Sequence, residues 1–214
     1  IDLESQRIGI HAHVALGLVG DARLTLQAMA KQLTQKKDDS FLKKAQKTHI
    51  NAIKMLDKQA EEKKGKGISS PLLTRVISDH LTEDAVVSVD AGGVTVWSNN
   101  WLRLNGKQRM VMSTELGTMG YGMPAAIGAQ LAYPDRLVVA MCGDGGFQMT
   151  MADFSTAVKY NLPIKVVVFN NHAYHFIELE QMKEGVAQCY TKLSNPDYAK
   201  LAEAFGAEGY AART

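Results

Sequence analysis

The sequence predicts an α/β fold, a doubly wound parallel sheet with flanking helices. The first observation behind this is a pair of apolar runs at residues 136–142 and 164–169, both short, rich in β-branched residues and separated by about a helix's worth of chain. Strands buried on both faces read as continuous apolar runs rather than alternating ones, and this spacing is that of a βαβ unit. The second is Gly143-Asp144-Gly145-Gly146, placed where the first run ends and a helical segment begins. The third is the same arrangement upstream: residues 85–89 read as a short buried strand, Asp90-Ala91-Gly92-Gly93 follows, and residues 94–104 are patterned as a helix.

Length and composition set the frame. With 214 residues, 46% of them apolar, the chain has material for one large or two small cores. A net charge of only +2 gives no reason to expect a nucleic-acid partner. No run of about 18 apolar residues exists, and the N-terminus has no basic-then-apolar leader, so no membrane span is expected within the sequence. Cys142 falls inside a predicted strand and Cys189 lies far from it, which argues against a disulfide framework and for a reducing, cytoplasmic setting. The opening on Ile1-Asp2-Leu3 and the stop after Arg213-Thr214 read as those of a fragment.

In chain order, residues 1–35 look like the tail of one domain. Ile1-Asp2 is expected to end a strand, Ile8-Gly9 and Val19-Gly20-Asp21 to make turns, and residues 22–33 to form an amphipathic helix capped by Asp21. His11 and His13 alternate in a strand-like stretch without cysteine or carboxylate company, a pattern of surface or core packing rather than of a metal site. Residues 36–67 form a lysine-rich helix and linker. Between Lys31 and Lys66 there are eleven lysines against five acidic residues. Leu42, Ala45, His49, Ile53, Leu56 and Ala60 recur at three- and four-residue spacing, giving one apolar face with the lysines on a solvated one. Residues 63–67, charged and glycine-bearing, read as the linker.

Residues 68–214 carry the main domain. Ser69 caps a helix with Pro71 in its first turn, expected to reach about Leu81. Trp97 and Trp101, four apart, are expected in the core. Gly120, Gly122, Ala125, Ala126 and Ala129 let a helix lie very close to neighbouring backbone. Ser194-Asn195-Pro196-Asp197 starts a last helix through Ala204, Gly206 closes it, and residues 207–210 begin a strand.

Ligands of open α/β sheets bind beyond the carboxyl ends of the strands. There Asp144 offers a carboxylate, Asn171 an amide oxygen and Ala173 a nearby main-chain carbonyl, a small set of hard oxygens that suits Mg²⁺ completed by phosphate oxygens and water. Glycines at Gly92, Gly93, Gly145 and Gly146 allow backbone N–H groups to approach phosphate. An Asp-Gly pair alone is usually a tight turn. Gly-Asp-Gly after one strand with Asn-Asn closing the next is far more specific, and describes a diphosphate bridged to protein by a divalent metal.

This constellation resembles the thiamine diphosphate fingerprint of the pyruvate oxidase, acetolactate synthase and pyruvate decarboxylase superfamily, and the stretch from Glu115 to Ala129 resembles the family's second cofactor segment. The resemblance implies thiamine diphosphate and Mg²⁺ as cofactors, with Asp144, Asn171 and Ala173 on the metal. It implies cofactor contacts at Gly117, Thr118 and Met119, where the Gly117 carbonyl takes the aminopyrimidine amine and Met119 wedges between the two rings, and at Tyr174, His175, Phe176 and Ile177. Bending the cofactor over Met119 brings its amine beside the thiazolium C2–H, so proton removal is intramolecular.

The segment Tyr174-His175-Phe176-Ile177-Glu178-Leu179-Glu180-Gln181 looks more like pyruvate oxidase than acetolactate synthase, whose helix there normally carries a tryptophan. By that resemblance Phe176 and Glu180, four apart on one helical face, meet the substrate, while His175 stands where glycine is expected. It also implies FAD, with Asp2 as a contact. Residues 1–35 would be the end of a middle domain, and the sheet would be incomplete at its C-terminal edge. The implied substrate is pyruvate and the implied assembly a homodimer or homotetramer, whose partner subunit supplies an activating glutamate that this chain lacks. Inactivity of the chain alone is therefore expected. A carboligase and a non-catalytic assembly module are the alternatives, and a membrane contact enters only through a tail beyond Thr214.

Overall fold

The computed structural model describes residues 1–62 and 67–213, so the linker read at 63–67 lies, except for Gly67, outside the described residues. The chain divides into two compact units, Ile1–Ile50 and Asn51–Thr214.

The first unit is built with little core: none of its described residues is buried. After a 3₁₀ turn at Ser5–Arg7, helix α1 spans Ala22–Ala30, with the Asp21 carboxylate accepting the Leu24 N–H at 2.8 Å. It stops short of Leu33 because the chain tightens, the Gln32 N–H turning back to the Met29 carbonyl. Ile1-Asp2 does not end a strand. Asp2 makes one isolated parallel bridge with Val19, and its carboxylate accepts the Glu4 N–H at 2.9 Å. His11 and His13 are exposed on irregular chain.

Helix α2 spans Ser40–Glu61, with residues to Ile50 in the first unit and the rest in the second. Its expected apolar face is buried only toward the C-terminus: Leu42, Ala45 and His49 are exposed, Ile53 and Leu56 are half-buried, and Ala60 is buried. The buried half is held by polar contacts as well. Trp101 donates its indole N–H to the Leu56 carbonyl at 2.8 Å, and Asp57 receives the guanidinium groups of both Arg75 and Arg103.

In the second unit α3 (Ser70–Asp79), β1 (Val86–Val89), α4 (Gly93–Trp101), β2 (Arg109–Met112), α5 (Gly122–Ala132), β3 (Val138–Gly143), α6 (Asp144–Thr150), α7 (Phe154–Lys159), β4 (Lys165–Phe169), α8 (His175–Lys183) and α9 (Tyr198–Ala204) follow in order. The four strands form one parallel sheet in the order β2-β1-β3-β4, with Val86 opposite Val138 and Val139 opposite Lys165.

Successive side chains of a strand face opposite ways, and each face is roofed by helices. Val86, Ala140 and Cys142 meet Met123 and Ala126 of α5, Phe147 of α6 and Ala157 of α7. On the other face Val87, Val89 and Met141 meet Val94 of α4 and Leu73 and Ile77 of α3. This is the doubly wound α/β sheet. Helix α5 lies close because Gly122 leaves no side chain: a Cβ there would fall 2.8 Å from Cys142 Sγ, and Ser88 Oγ donates to the Gly122 carbonyl at 2.9 Å.

Two elements differ from expectation. Strand β2, with the exposed Arg109 at its start, is an outer strand that composition did not reveal. Residues 207–210 form no strand; Ala207, Glu208 and Gly209 are weak strand formers, and the Gly209 backbone passes so close to Ala199 that a Cβ there would fall 2.0 Å from its carbonyl oxygen. Both cysteines are free, Cys142 buried and Cys189 exposed. No helix among the described residues is long and apolar enough to cross a membrane.

Candidate diphosphate and metal site

The carboxyl ends of β1, β3 and β4 open on a cavity of about 900 Å³, within the range of sites that enclose a small ligand. Four of the segments that line it carry the candidate residues. Gly92 and Gly93 come from the turn after β1, and Asp144, Gly145 and Gly146 from the start of α6. Asn171, Ala173 and Tyr174 follow β4, and His175, Phe176 and Ile177 open α8. Met119 reaches it from the loop before α5.

Gly92 has φ +126°, a left-handed value that glycine adopts without cost. This lets the chain turn sharply from β1 into α4 and keeps the space above it open: a Cβ at Gly92 would meet nothing within 4 Å. Gly145 and Gly146 are required for a different reason. A Cβ on Gly145 would fall 2.3 Å from Tyr174 Cε1, and one on Gly146 2.2 Å from Asp90 Oδ2.

Asp144 is 3% exposed, and its carboxylate organises the far side of the cavity. Oδ2 accepts the N–H groups of Asn171 at 3.1 Å and His172 at 2.7 Å, and the Asn195 amide at 2.7 Å. Oδ1 accepts the Gly145 N–H, at 3.0 Å. The bonds to residues 171 and 172 hold a turn in which His172 has φ +58°, a conformation a non-glycine residue adopts only where its surroundings impose it. Asn171 Oδ1 accepts the Ala173 N–H at 3.1 Å. Ala173 is in turn fixed by an antiparallel bridge to Lys192, with Tyr174 N–H on the Thr191 carbonyl and Leu193 N–H on the His172 carbonyl, both at 2.8 Å.

Carboxylate, amide oxygen and main-chain carbonyl at one edge, with glycine backbone opposite, form a donor set that fits Mg²⁺ and a diphosphate.

Asp90, at the end of β1, is fully buried. Its Oδ1 accepts the N–H groups of Ala91 at 2.8 Å and Tyr121 at 3.2 Å, while Oδ2 has no hydrogen-bond partner among the described residues. Burial raises its pKa above the ordinary carboxylate value, the neighbouring backbone N–H groups opposing that rise. Thr150 Oγ1 donates to the Gly120 carbonyl at 3.0 Å. Asp90 and Thr150 therefore fasten the end of the loop that carries Met119.

Other sequence candidates stand elsewhere. Gly117 (φ +56°) and Thr118 are exposed outside the lining, where the Thr118 N–H is bound by Ser113 Oγ at 3.2 Å. Glu180 is exposed and also outside it. The buried carboxylate of α8 is instead Glu178, bonded to Thr191 Oγ1 at 2.9 Å and Lys192 Nζ at 2.8 Å. Trp101 is buried as expected, but Trp97, its ring 5.8 Å away, is half-buried and lines the cavity. Sequence reasoning passed over Glu178, Asn195 and Asp90. Asn195 stood in a helix-start signal, 51 positions from Asp144, and no local pattern connects the two.

Fold and site together define an α/β domain that binds a diphosphate cofactor. The chain belongs to the thiamine pyrophosphate enzymes: residues 90–214 match the family described as thiamine pyrophosphate enzyme, C-terminal TPP binding domain. It is 40% identical over 213 residues to the Bacillus subtilis protein YdaP, named as a putative thiamine pyrophosphate-containing protein, covering 98% of this chain and 36% of that one. It is 32% identical over 181 residues to the pyruvate oxidase of Lactiplantibacillus plantarum, covering 85% and 30%. With the acetolactate synthase large subunit of Porphyra purpurea the identity is 39% over 144 residues, covering 66% and 24%. The chain thus spans about a quarter to a third of the length of these curated relatives.

Proposed function

We propose that this chain is the cofactor-binding part of a pyruvate oxidase-like enzyme that uses thiamine diphosphate, Mg²⁺ and FAD, decarboxylates pyruvate and passes the electrons through flavin to oxygen or a quinone. The observation that carries the reading is the start of α8. Tyr174, His175, Phe176 and Ile177 line the cavity, Phe176 is 40% exposed at it, and α8 carries no tryptophan. The similarity to a pyruvate oxidase over 85% of the chain supports it.

When bound, thiamine diphosphate supplies the electron sink for decarboxylating a 2-oxo acid. The chain's own residues bind and orient. Asp144 and Asn171, with the Ala173 carbonyl, hold the metal, and the backbone at Gly92, Gly93, Gly145 and Gly146 meets the diphosphate. Met119 supports the cofactor's bend. Phe176 and Ile177 exclude water from the substrate side, where a low-dielectric pocket strengthens each polar contact. Glu180, outside the lining, is given no contact role. Asp2 is the proposed flavin contact of the first unit. The enzyme is a cytoplasmic homodimer or homotetramer, and the chain without its partner domain is inactive.

A second reading, an acetolactate synthase-like carboligase, is favoured by the 39% identity to the Porphyra large subunit. The test uses the complete gene product, with thiamine diphosphate, Mg²⁺ and pyruvate added without oxygen while flavin absorbance is followed. Bleaching is the expected result. A flavin that stays oxidised while acetolactate accumulates replaces this reading with the second.

A further inference from the structure

The geometry points to Asn195 as a positioning residue that makes Asp144 a one-oxygen metal ligand and thereby tunes the site to Mg²⁺ over larger divalent cations. The inference rests on the metal role given above to Asp144.

A carboxylate oxygen has about two lone-pair sites. Asp144 Oδ2 receives three N–H donors, from Asn171, His172 and Asn195, whereas Oδ1 receives one, from Gly145, among the described residues. Oδ2 is therefore saturated and Oδ1 retains an open site. Two of the three donors on Oδ2 are backbone groups of the turn after β4. Asn195 is the third and comes from a separate segment, just before α9, so it ties a carboxylate already bonded to that turn and to the Gly145 N–H to a second part of the fold.

The direction of the Asn195 amide is itself determined. Its Nδ2 lies 2.7 Å from Asp144 Oδ2 and 2.7 Å from Asn170 Oδ1, and its Oδ1 receives Gln148 Nε2 at 2.6 Å. The reverse orientation would set an amide oxygen against a buried carboxylate oxygen, with no proton between them. Gln148 is held from behind by the Tyr198 hydroxyl, at 3.1 Å. The chain of contacts runs Tyr198, Gln148, Asn195, Asp144, and every amide group in it faces a complementary atom.

Chemistry follows from the number of free oxygens. Mg²⁺ demands near-octahedral coordination and takes a carboxylate through one oxygen, whereas Ca²⁺ accepts both oxygens and irregular geometry. Withholding Oδ2 favours the former. Outer-shell partners of this kind are typically worth about 10- to 100-fold in metal affinity.

The test counts metal binding without turnover. Mn²⁺ bound to the protein as its gene encodes it, with thiamine diphosphate present, is followed by electron paramagnetic resonance, and Mg²⁺ or Ca²⁺ is added as competitor. Asn195→Ala is expected to weaken Mg²⁺ competition about 10-fold and Ca²⁺ competition by much less, so the Mg²⁺/Ca²⁺ ratio falls. Gln148→Ala, which releases the amide from behind, moves the ratio the same way by less and serves if Asn195→Ala does not fold. A role in folding alone lowers both affinities together and leaves the ratio fixed, and that outcome overturns the inference. Asp144→Ala separates the two levels: Mn²⁺ binding that survives it overturns the metal reading itself, whereas loss of binding beside an unmoved ratio in Asn195→Ala and Gln148→Ala overturns only the part given to Asn195.

Discussion

Glu178 and Lys192 meet at 2.8 Å, and through that contact helix α8 grips the strand-like segment whose backbone bridges Ala173. The hydrogen bond from Lys192, with a second from Thr191, pulls the Glu178 pKa from 4.5 down to about 2. A carboxylate depressed on folding stabilises the native state above its unfolded value and loses that contribution as pH falls toward the folded one. Acid unfolding of this protein should therefore steepen between pH 4.5 and about 2. Glu178→Gln should flatten that limb and lower the melting temperature at neutral pH, as read by circular dichroism across the interval.

Asp90 shifts the other way, and the sign of its effect is reversed. With its folded pKa raised by burial, the native state binds the extra proton, so stability falls as pH rises from the ordinary value of 3.8 through the raised one. Asp90→Asn keeps an acceptor for the Ala91 and Tyr121 N–H groups and cannot ionise. It should match the wild type in acid and exceed it in stability at neutral pH, with urea unfolding at both pH values as the measurement. Cys142, its thiol pushed up by burial and by Asp90, stays protonated throughout and adds no slope.

Glycines of the second unit divide into two kinds with opposite expected outcomes. Gly145→Ala and Gly146→Ala force a methyl to within 2.3 Å of Tyr174 and 2.2 Å of Asp90, and should each cost about 1–3 kcal/mol, as overpacking does. Gly128, inside α5, leaves open space where a methyl would stand, with no neighbouring atom within 4 Å, so Gly128→Ala should stabilise by about 0.5–1 kcal/mol. Denaturant midpoints of the three variants at constant slope decide the matter.

Of the two tryptophans, only Trp97 lines the cavity. Thiamine diphosphate with Mg²⁺ should therefore change the intrinsic fluorescence. In Trp97→Phe most of that change should vanish while calorimetric binding persists. An equal signal in the variant would mean that Trp101, buried and tied to the Leu56 carbonyl, reports the binding instead.

The strands and glycines of the sheet were legible because they are local. Residues 138–142 form a fully buried apolar run and residues 166–169 an unbroken apolar one, and the glycines after β1 and β3 mark turns that few other residues allow. Strand β2 was not legible, since after its exposed arginine it offers only the three apolar residues Met110, Val111 and Met112, a run too short to stand out from a loop. Likewise the burial of α2 at Ala60 but not at Leu42 depends on what lies against it, which periodicity does not encode. At the site, Asp144 and Asn171 stood out by residue type and position after a strand. Asn195 and Glu178 did not, because their meaning comes from contacts made across the fold, and an asparagine before a helix or a glutamate within one has an ordinary local explanation.

The site draws on the ends of β3 and β4 at once, through Asp144 just after the one and the turn at Asn171 just after the other, and these meet only when the two strands are paired. An unfolded chain has no such pair to offer, so whatever binds there binds the native state alone. Occupancy then becomes a source of lifetime: at a ligand concentration about 100 times its dissociation constant, linkage adds about 2.7 kcal/mol to stability. Cofactor-free protein is therefore expected to be cleaved by added protease faster than cofactor-loaded protein.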